Sequence, residues 1–196
     1  YITWALTERC NMRCKHCSFG PSTPELSHEE RRQVAMKLSM SGTWGVSLIG
    51  GEPTLVDNLE EFVATLAQNG LYTSLGTSGH RLDRQLKGIL DAGLSNIIFS
   101  VEHFKADDHD AFRGRKGLFA ELSESIDRIR RHGPKRPRLQ IRATMHRENL
   151  EEMPDIIRYW EKRVDNVVVQ VVQNNGIHEV RDASVLFRPE DKPRLQ

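Results

Sequence analysis

Cys10, Cys14 and Cys17 are the only cysteines in this 196-residue chain. Their spacing is Cys-x3-Cys-x2-Cys on one short stretch, directly after the apolar run Ile2-Thr3-Trp4-Ala5-Leu6. Three thiolates on one loop can hold three corners of a cubic iron–sulfur cluster. With no fourth cysteine, a [4Fe-4S] cluster bound here keeps one iron open for another ligand, and an open coordination position is the mark of chemistry rather than scaffolding. Two other readings use the same residues. His16 could join the cysteines in a Cys3His zinc site of an interaction module, although zinc sites usually draw on two separated ligand pairs. A simple iron–sulfur electron carrier normally takes four protein ligands.

The other groups able to do chemistry follow apolar, β-branched runs. Gly50-Gly51-Glu52-Pro53 stops the run Gly45–Ile49, and Thr77-Ser78-Gly79 stops the run from Tyr72 to Gly76. Ser100 and Glu102 close the run that starts at Asn96, and Arg142 lies inside the run from Arg138 to Thr144. In folds built from parallel strands, ligands sit at the C-terminal strand ends. All of these groups fall at or near such ends.

The elements that must position them alternate along the whole length. Strands are expected at Ile2–Thr7, Gly45–Ile49, Tyr72–Gly76, Asn96–Val101, Arg138–Thr144 and Asn166–Val172. Between them, Ser27 and Glu30 form a capping box for a helix to about Ser41. Asp57 opens a helix with Leu59, Phe62, Val63 and Leu66 on one face, and helices follow over Leu82–Asp91 and Leu118–Arg131. Asn149 caps a last helix with Ile156, Ile157 and Trp160 inward, and Asn174-Asn175-Gly176 reads as a turn. His103 to Lys116 reads as a polar loop, and Arg128–Arg138 as a solvated helix end. The units recur at roughly 25 to 35 residues, a βαβ rhythm that implies a parallel sheet. Eight units would close a barrel; six leave it partial.

The bulk numbers narrow the class. Formal net charge is +1 and Lys+Arg nearly balance Asp+Glu, 28 against 27, so neither a nucleic acid nor a membrane surface is indicated as partner. No apolar run approaches the roughly 20 residues that span a bilayer. An odd, clustered cysteine set fits a metal in a reducing compartment, hence the cytoplasm, rather than disulfides. The core is expected over residues 1–176, with 177–196 a polar tail or a linker to a further extension.

The cysteine loop after the first strand, with Gly-Gly-Glu-Pro after the second, resembles the radical S-adenosylmethionine (SAM) superfamily from about Trp4 to Val172. The resemblance implies an α/β fold, a partial (β/α)6 TIM-like barrel. It implies that Cys10, Cys14 and Cys17 ligate three irons while the SAM amine and carboxylate chelate the fourth. Gly50, Gly51 and Glu52 would accept hydrogen bonds from the SAM ammonium, with Pro53 fixing the turn. The two glycines suit a close backbone approach to a ligand. Thr77 and Ser78 stand where members often carry Thr-Asn. Ser100 and Arg142 would hold the SAM carboxylate, Glu102 would meet the ribose hydroxyls, and His16 would pack beside the adenine where the family usually has an aromatic residue.

His109-Asp110-Ala111-Phe112-Arg113-Gly114-Arg115-Lys116-Gly117 and Arg142-Ala143-Thr144 resemble the branch of molybdenum-cofactor cyclases and peptide-maturing (SPASM/twitch-type) enzymes. Many members of that branch carry further clusters in a cysteine-rich C-terminal extension. No cysteine follows Cys17 here, so either the extension lies outside this chain or the protein works with one cluster. The resemblance further implies a peptide or small-molecule substrate; His103, Met145, Gln170 and Gln173 lie near expected strand ends, where they could face it. It also implies a low-potential electron donor such as flavodoxin or ferredoxin.

Overall fold

The computed structural model describes residues 1–17, 24–173 and 180–195; the turn read at Asn174–Gly176 lies outside them. Six strands form one sheet in sequence order: β1 (Ile2–Ala5), β2 (Gly45–Ile49), β3 (Tyr72–Thr77), β4 (Asn96–Val101), β5 (Arg138–Met145) and β6 (Asn166–Val171). Every neighbouring pair is parallel. Consecutive parallel strands require a crossover each time. The crossovers are α1 (His28–Ser39), α2 (Leu59–Gln68), α3 (Leu86–Asp91), α4 (Ala106–Arg113) with α5 (Leu118–Arg131), and α6 (Met153–Trp160). This is the partial α/β barrel expected from the spacing.

One side of each strand packs outward on helices. Val46 and Leu48 of β2, Leu75 of β3, Ile97 and Phe99 of β4, and Leu139 and Ile141 of β5 are wholly buried in one apolar cluster with Phe62, Leu66, Ile129 and Trp160. The helices supply matching stripes. Buried Leu118, Leu122, Ile126 and Ile129 fall three or four residues apart along α5. The strand residues of the other parity face the barrel interior. Their register places Ser100 opposite Arg142 and Thr144 opposite Gln170.

Local rules account for most ends. The Ser27 hydroxyl accepts from the Glu30 N–H at 3.3 Å while Glu30 Oε2 accepts from the Ser27 N–H at 2.8 Å, so the capping box is complete. Among the differences from the sequence reading, three have a plain local cause. The stretch read as a loop between His103 and Lys116 contains α4, whose buried side is built from His109, Phe112 and Arg113 rather than from aliphatic residues. Helix α2 starts after Asn58, which adopts a left-handed conformation, and not at Asp57. Asn149 does not cap α6; its Oδ1 accepts from the His146 N–H at 2.8 Å and its Nδ2 donates to the carbonyls of Glu102 and Thr144, both at 3.0 Å. It therefore ties the ends of β4 and β5 together.

Residues 180–195 return to the mouth of the barrel. Val185 is wholly buried against Phe112 and Val172, and Arg147 pairs with Asp191 at 3.0 Å. Among the described residues no helix is long and apolar enough to cross a membrane.

Candidate functional site

A single cavity at the C-terminal strand ends is lined by Cys10, Cys14 and Cys17, by Gly50, Gly51 and Glu52, by Thr77 and Ser78, and by Ser100, Arg113 and Arg142. These residues come from five different strand–loop units, so only the closed sequence of strands brings them together. His16 also lines it. Of the site residues read from the sequence, Pro53 and Glu102 do not. Pro53 opens a single 3-10 turn, Pro53–Leu55, after β2. Glu102 lines an adjoining cleft with His103, Phe112, His146 and Glu152. Gln170 and Gln173 line a third, with His16 and Thr144.

The cysteine loop is shaped by its backbone. The Arg13 N–H donates to the Arg113 carbonyl and the Lys15 N–H to the Phe112 carbonyl, both at 3.1 Å. From the other side, the Arg181 N–H donates to the Cys17 carbonyl at 3.3 Å and the Asp182 N–H to the Lys15 carbonyl at 3.0 Å. The loop is thus pinned between α4 and the C-terminal segment. Cys10 is exposed, Cys14 buried and Cys17 half-buried. Although Cys10 is exposed as a residue, partial cover of its thiol raises it above its ordinary range, opposed by the Met12 N–H.

The Gly-Gly-Glu turn is locked to the entry of that loop. Gly51 N–H donates to the Thr7 carbonyl at 2.8 Å and Glu52 N–H to the Arg9 carbonyl at 2.9 Å. The Glu52 side chain is 1% exposed. Its Oε1 accepts from the Thr54 N–H (3.2 Å), the Thr54 hydroxyl (2.9 Å) and the Thr77 hydroxyl (2.6 Å). Its Oε2 accepts from the Ser78 N–H (2.8 Å) and hydroxyl (2.5 Å). Five donors converge on one carboxylate, which welds the end of β2 to the end of β3. What this turn offers a ligand is its main chain, since the carboxylate is already engaged.

Arg142 behaves differently. It lines the cavity, and its Nε is buried with no hydrogen-bond partner among the described residues. A buried guanidinium N–H without an acceptor is costly, and a planar fork of this kind is suited to a carboxylate. The His16 ring stacks on Phe112 at 5.3 Å, and Phe112 stacks on His146 at 4.2 Å. Burial pulls the His16 ring down to about 3 and the His146 ring to about 4, so both are neutral at pH 7.

Glu102 is 1% exposed, and burial pushes its carboxyl up to about 7 against the pull of Arg113. The buried Arg113 side chain links two groups: Nη1 donates to Cys14 Sγ at 3.2 Å, and Nη2 lies 3.2 Å from Glu102 Oε1. Sequence reasoning assigned Arg113 no role. The only signal was its place in the His109–Gly117 motif.

The donor set and its surroundings fit an iron–sulfur cluster with a bound amino-acid-like ligand. Three thiols line one cavity with an unpartnered guanidinium N–H beside them. Among the described residues no three His, Cys, Asp or Glu side chains converge on a single-ion site, whereas a cubane asks its cysteines to reach three separate irons.

The comparisons agree with this geometry. The chain is 36% identical over 157 residues to the PqqA peptide cyclase of Rhodopseudomonas palustris, covering 78% of this chain and 41% of that protein. It is 29% identical over 166 residues to the Fe-coproporphyrin III synthase of Methanosarcina barkeri, covering 82% and 41%. It therefore spans about two fifths of the length of these relatives. The fold is that of Streptococcus suis SuiB, solved bound to S-adenosylmethionine (TM-score 0.74) and to the precursor peptide SuiA (TM-score 0.76). Both structures are 14% identical to this chain and cover 99% of it, matching 45% and 44% of SuiB respectively. The model of the Radical SAM superfamily matches residues 4–159, and the chain belongs to that superfamily.

Proposed function

We propose that this chain is the radical-generating core of an enzyme that reductively cleaves SAM at a [4Fe-4S] cluster held by Cys10, Cys14 and Cys17. The observation that carries the proposal is the buried, unpartnered Arg142 Nε in the same cavity as the three thiols. When bound, the cluster and SAM supply a one-electron cleavage that yields methionine and a 5′-deoxyadenosyl radical for hydrogen abstraction. The protein's part is placement. Arg142, with Ser100 opposite it in the register, holds the SAM carboxylate. The carbonyls of the Gly50–Glu52 turn accept from its ammonium, held in place by the Glu52 carboxylate. Thr77 fixes that carboxylate, and His16, backed by Phe112, flanks the adenine. Such placement matters, because a misplacement of about 1 Å can cost about a hundredfold in rate.

The substrate enters over the strand ends, where His103, Gln170 and Gln173 line clefts beside the cavity. We assign a peptide as substrate class, supported by the similarity to a PqqA peptide cyclase and by the fold shared with a protein solved with its precursor peptide. The likeness to an Fe-coproporphyrin III synthase favours a small-molecule substrate as the second reading. A low-potential donor such as flavodoxin or ferredoxin supplies the electron, and the cytoplasm suits the cluster.

Anaerobic reconstitution tests the core reading. The expected result is about four irons and four sulfides per chain, and release of 5′-deoxyadenosine from SAM under a strong reductant. Zinc without sulfide, or a cluster that never cleaves SAM, overturns it.

A further inference from the structure

Helix α4 enters the reading above only through Phe112, yet it ends on the cysteine loop. Its last residues accept the Arg13 and Lys15 N–H groups, and a β-carbon at Gly114 would stand 2.9 Å from the Arg13 β-carbon. Arg113 is 7% exposed and Glu102 1%. A buried charge persists only when it is paired. Here the cation has two opposed partners, Cys14 Sγ and Glu102 Oε1, each at 3.2 Å. Glu102 is itself held through its main chain: its N–H donates to His109 Nδ1 at 3.3 Å and its carbonyl accepts from Asn149 at 3.0 Å. The guanidinium therefore lies between one ligand sulfur and a buried carboxyl group whose main chain is held in place.

Resting on the proposed cluster site, we infer that Arg113 is a positioning residue that sets how readily a cluster on Cys14 accepts its electron, with Glu102 moderating it. An N–H···S hydrogen bond and a nearby positive charge both stabilise the more negative, reduced cluster and raise its potential. The opposing carboxylate lowers it. The two residues form a charge-compensated pair, so their removal acts with opposite signs. A merely structural strut has no such signature.

The test is an EPR-monitored redox titration of reconstituted protein without SAM at about pH 8.5, above the value of about 7 for the Glu102 carboxyl, with iron and sulfide counted in every sample. Glu102→Gln raises the midpoint. Arg113→Met combined with Glu102→Gln removes both charges at nearly constant volume. At the wild-type midpoint its ratio of reduced to oxidised cluster is expected to be about tenfold lower, a downward shift of about 59 mV for a one-electron couple. Fully loaded Glu102→Gln and double variants that both stay at the wild-type potential overturn the inference. So does a pair of variants whose only change is weaker SAM binding, which would make Arg113 a ligand contact. Should Arg113→Met alone fail to load, the other two variants still decide. A wild-type chain that takes up no cluster refutes the proposed function instead, so the two failures are distinct.

Discussion

The β-carbon that Gly51 lacks would stand 2.2 Å from the carbonyl oxygen of Arg9. Gly50 is equally constrained, at 2.3 Å from the Thr7 carbonyl. The chain approaching these glycines so closely is thus its own, the entry to the cysteine loop. Gly51→Ala is expected to destabilise the metal-free protein by about 1–3 kcal/mol, since backbone must move to admit the methyl group. It should also reduce cluster uptake. Urea unfolding and iron counts check this, and an unaltered midpoint would show that the loop yields freely.

Glu52→Gln keeps shape and turns part of an acceptor-only group into a donor. Five donors already point at that carboxylate, so at least one N–H or O–H must face another. The expected loss is roughly 1.5–3 kcal/mol, read as a lower thermal midpoint at pH 7. Equal stability would mean that the ends of β2 and β3 are joined by other means.

Arg142→Ala removes a side chain that no described group needs, so fold and cluster content should persist. SAM binding should weaken about ten- to a hundredfold, the loss of a charged hydrogen bond worth roughly 1.5–3 kcal/mol. Arg142→Lys should recover part of it, because the charge returns without the fork. Equilibrium dialysis with labelled SAM measures both. Wild-type affinity in the alanine variant would remove Arg142 from the carboxylate site.

Stability should fall on mild acidification. Burial holds His16 and His109 down to about 3 and His146 to about 4, while an unfolded chain protonates histidine near 6.5. Between these values the unfolded chain binds more protons, so stability is complete above about pH 7 and lost as pH falls. Glu102, pushed up to about 7, acts the other way, because its folded form keeps a proton there. Three rings less one carboxyl leave about two protons, at most roughly 3 kcal/mol per pH unit. Urea midpoints of the metal-free chain from pH 7 to 5 give the slope, which His109→Gln should make shallower. An unchanged slope in that variant would deny His109 its share.

What could be read from the sequence was what is local. The Ser27–Glu30 box needs only residues three apart, and the β2 and β4 boundaries follow from short apolar runs ended by glycine or polar residues. Helix α4 escaped because its inner side is His109, Phe112 and Arg113, which no aliphatic period announces. The cysteine and Gly-Gly-Glu residues converge as expected. The resemblance implied a ribose contact for Glu102; its side chain also lies 3.2 Å from Arg113 Nη2, a neighbour that the resemblance did not name. A contact between Arg113 and Cys14, 99 positions apart, has no trace in any window of sequence.

The three thiols precede in the chain every group that holds their loop from outside it, Phe112, Arg113, Arg181 and Asp182. A nascent chain that has reached the Gly-Gly-Glu-Pro turn carries Cys10, Cys14 and Cys17 but still lacks the clasp. The order of the cysteine loop therefore waits on residues that follow β6, which lie back across the mouth of the barrel.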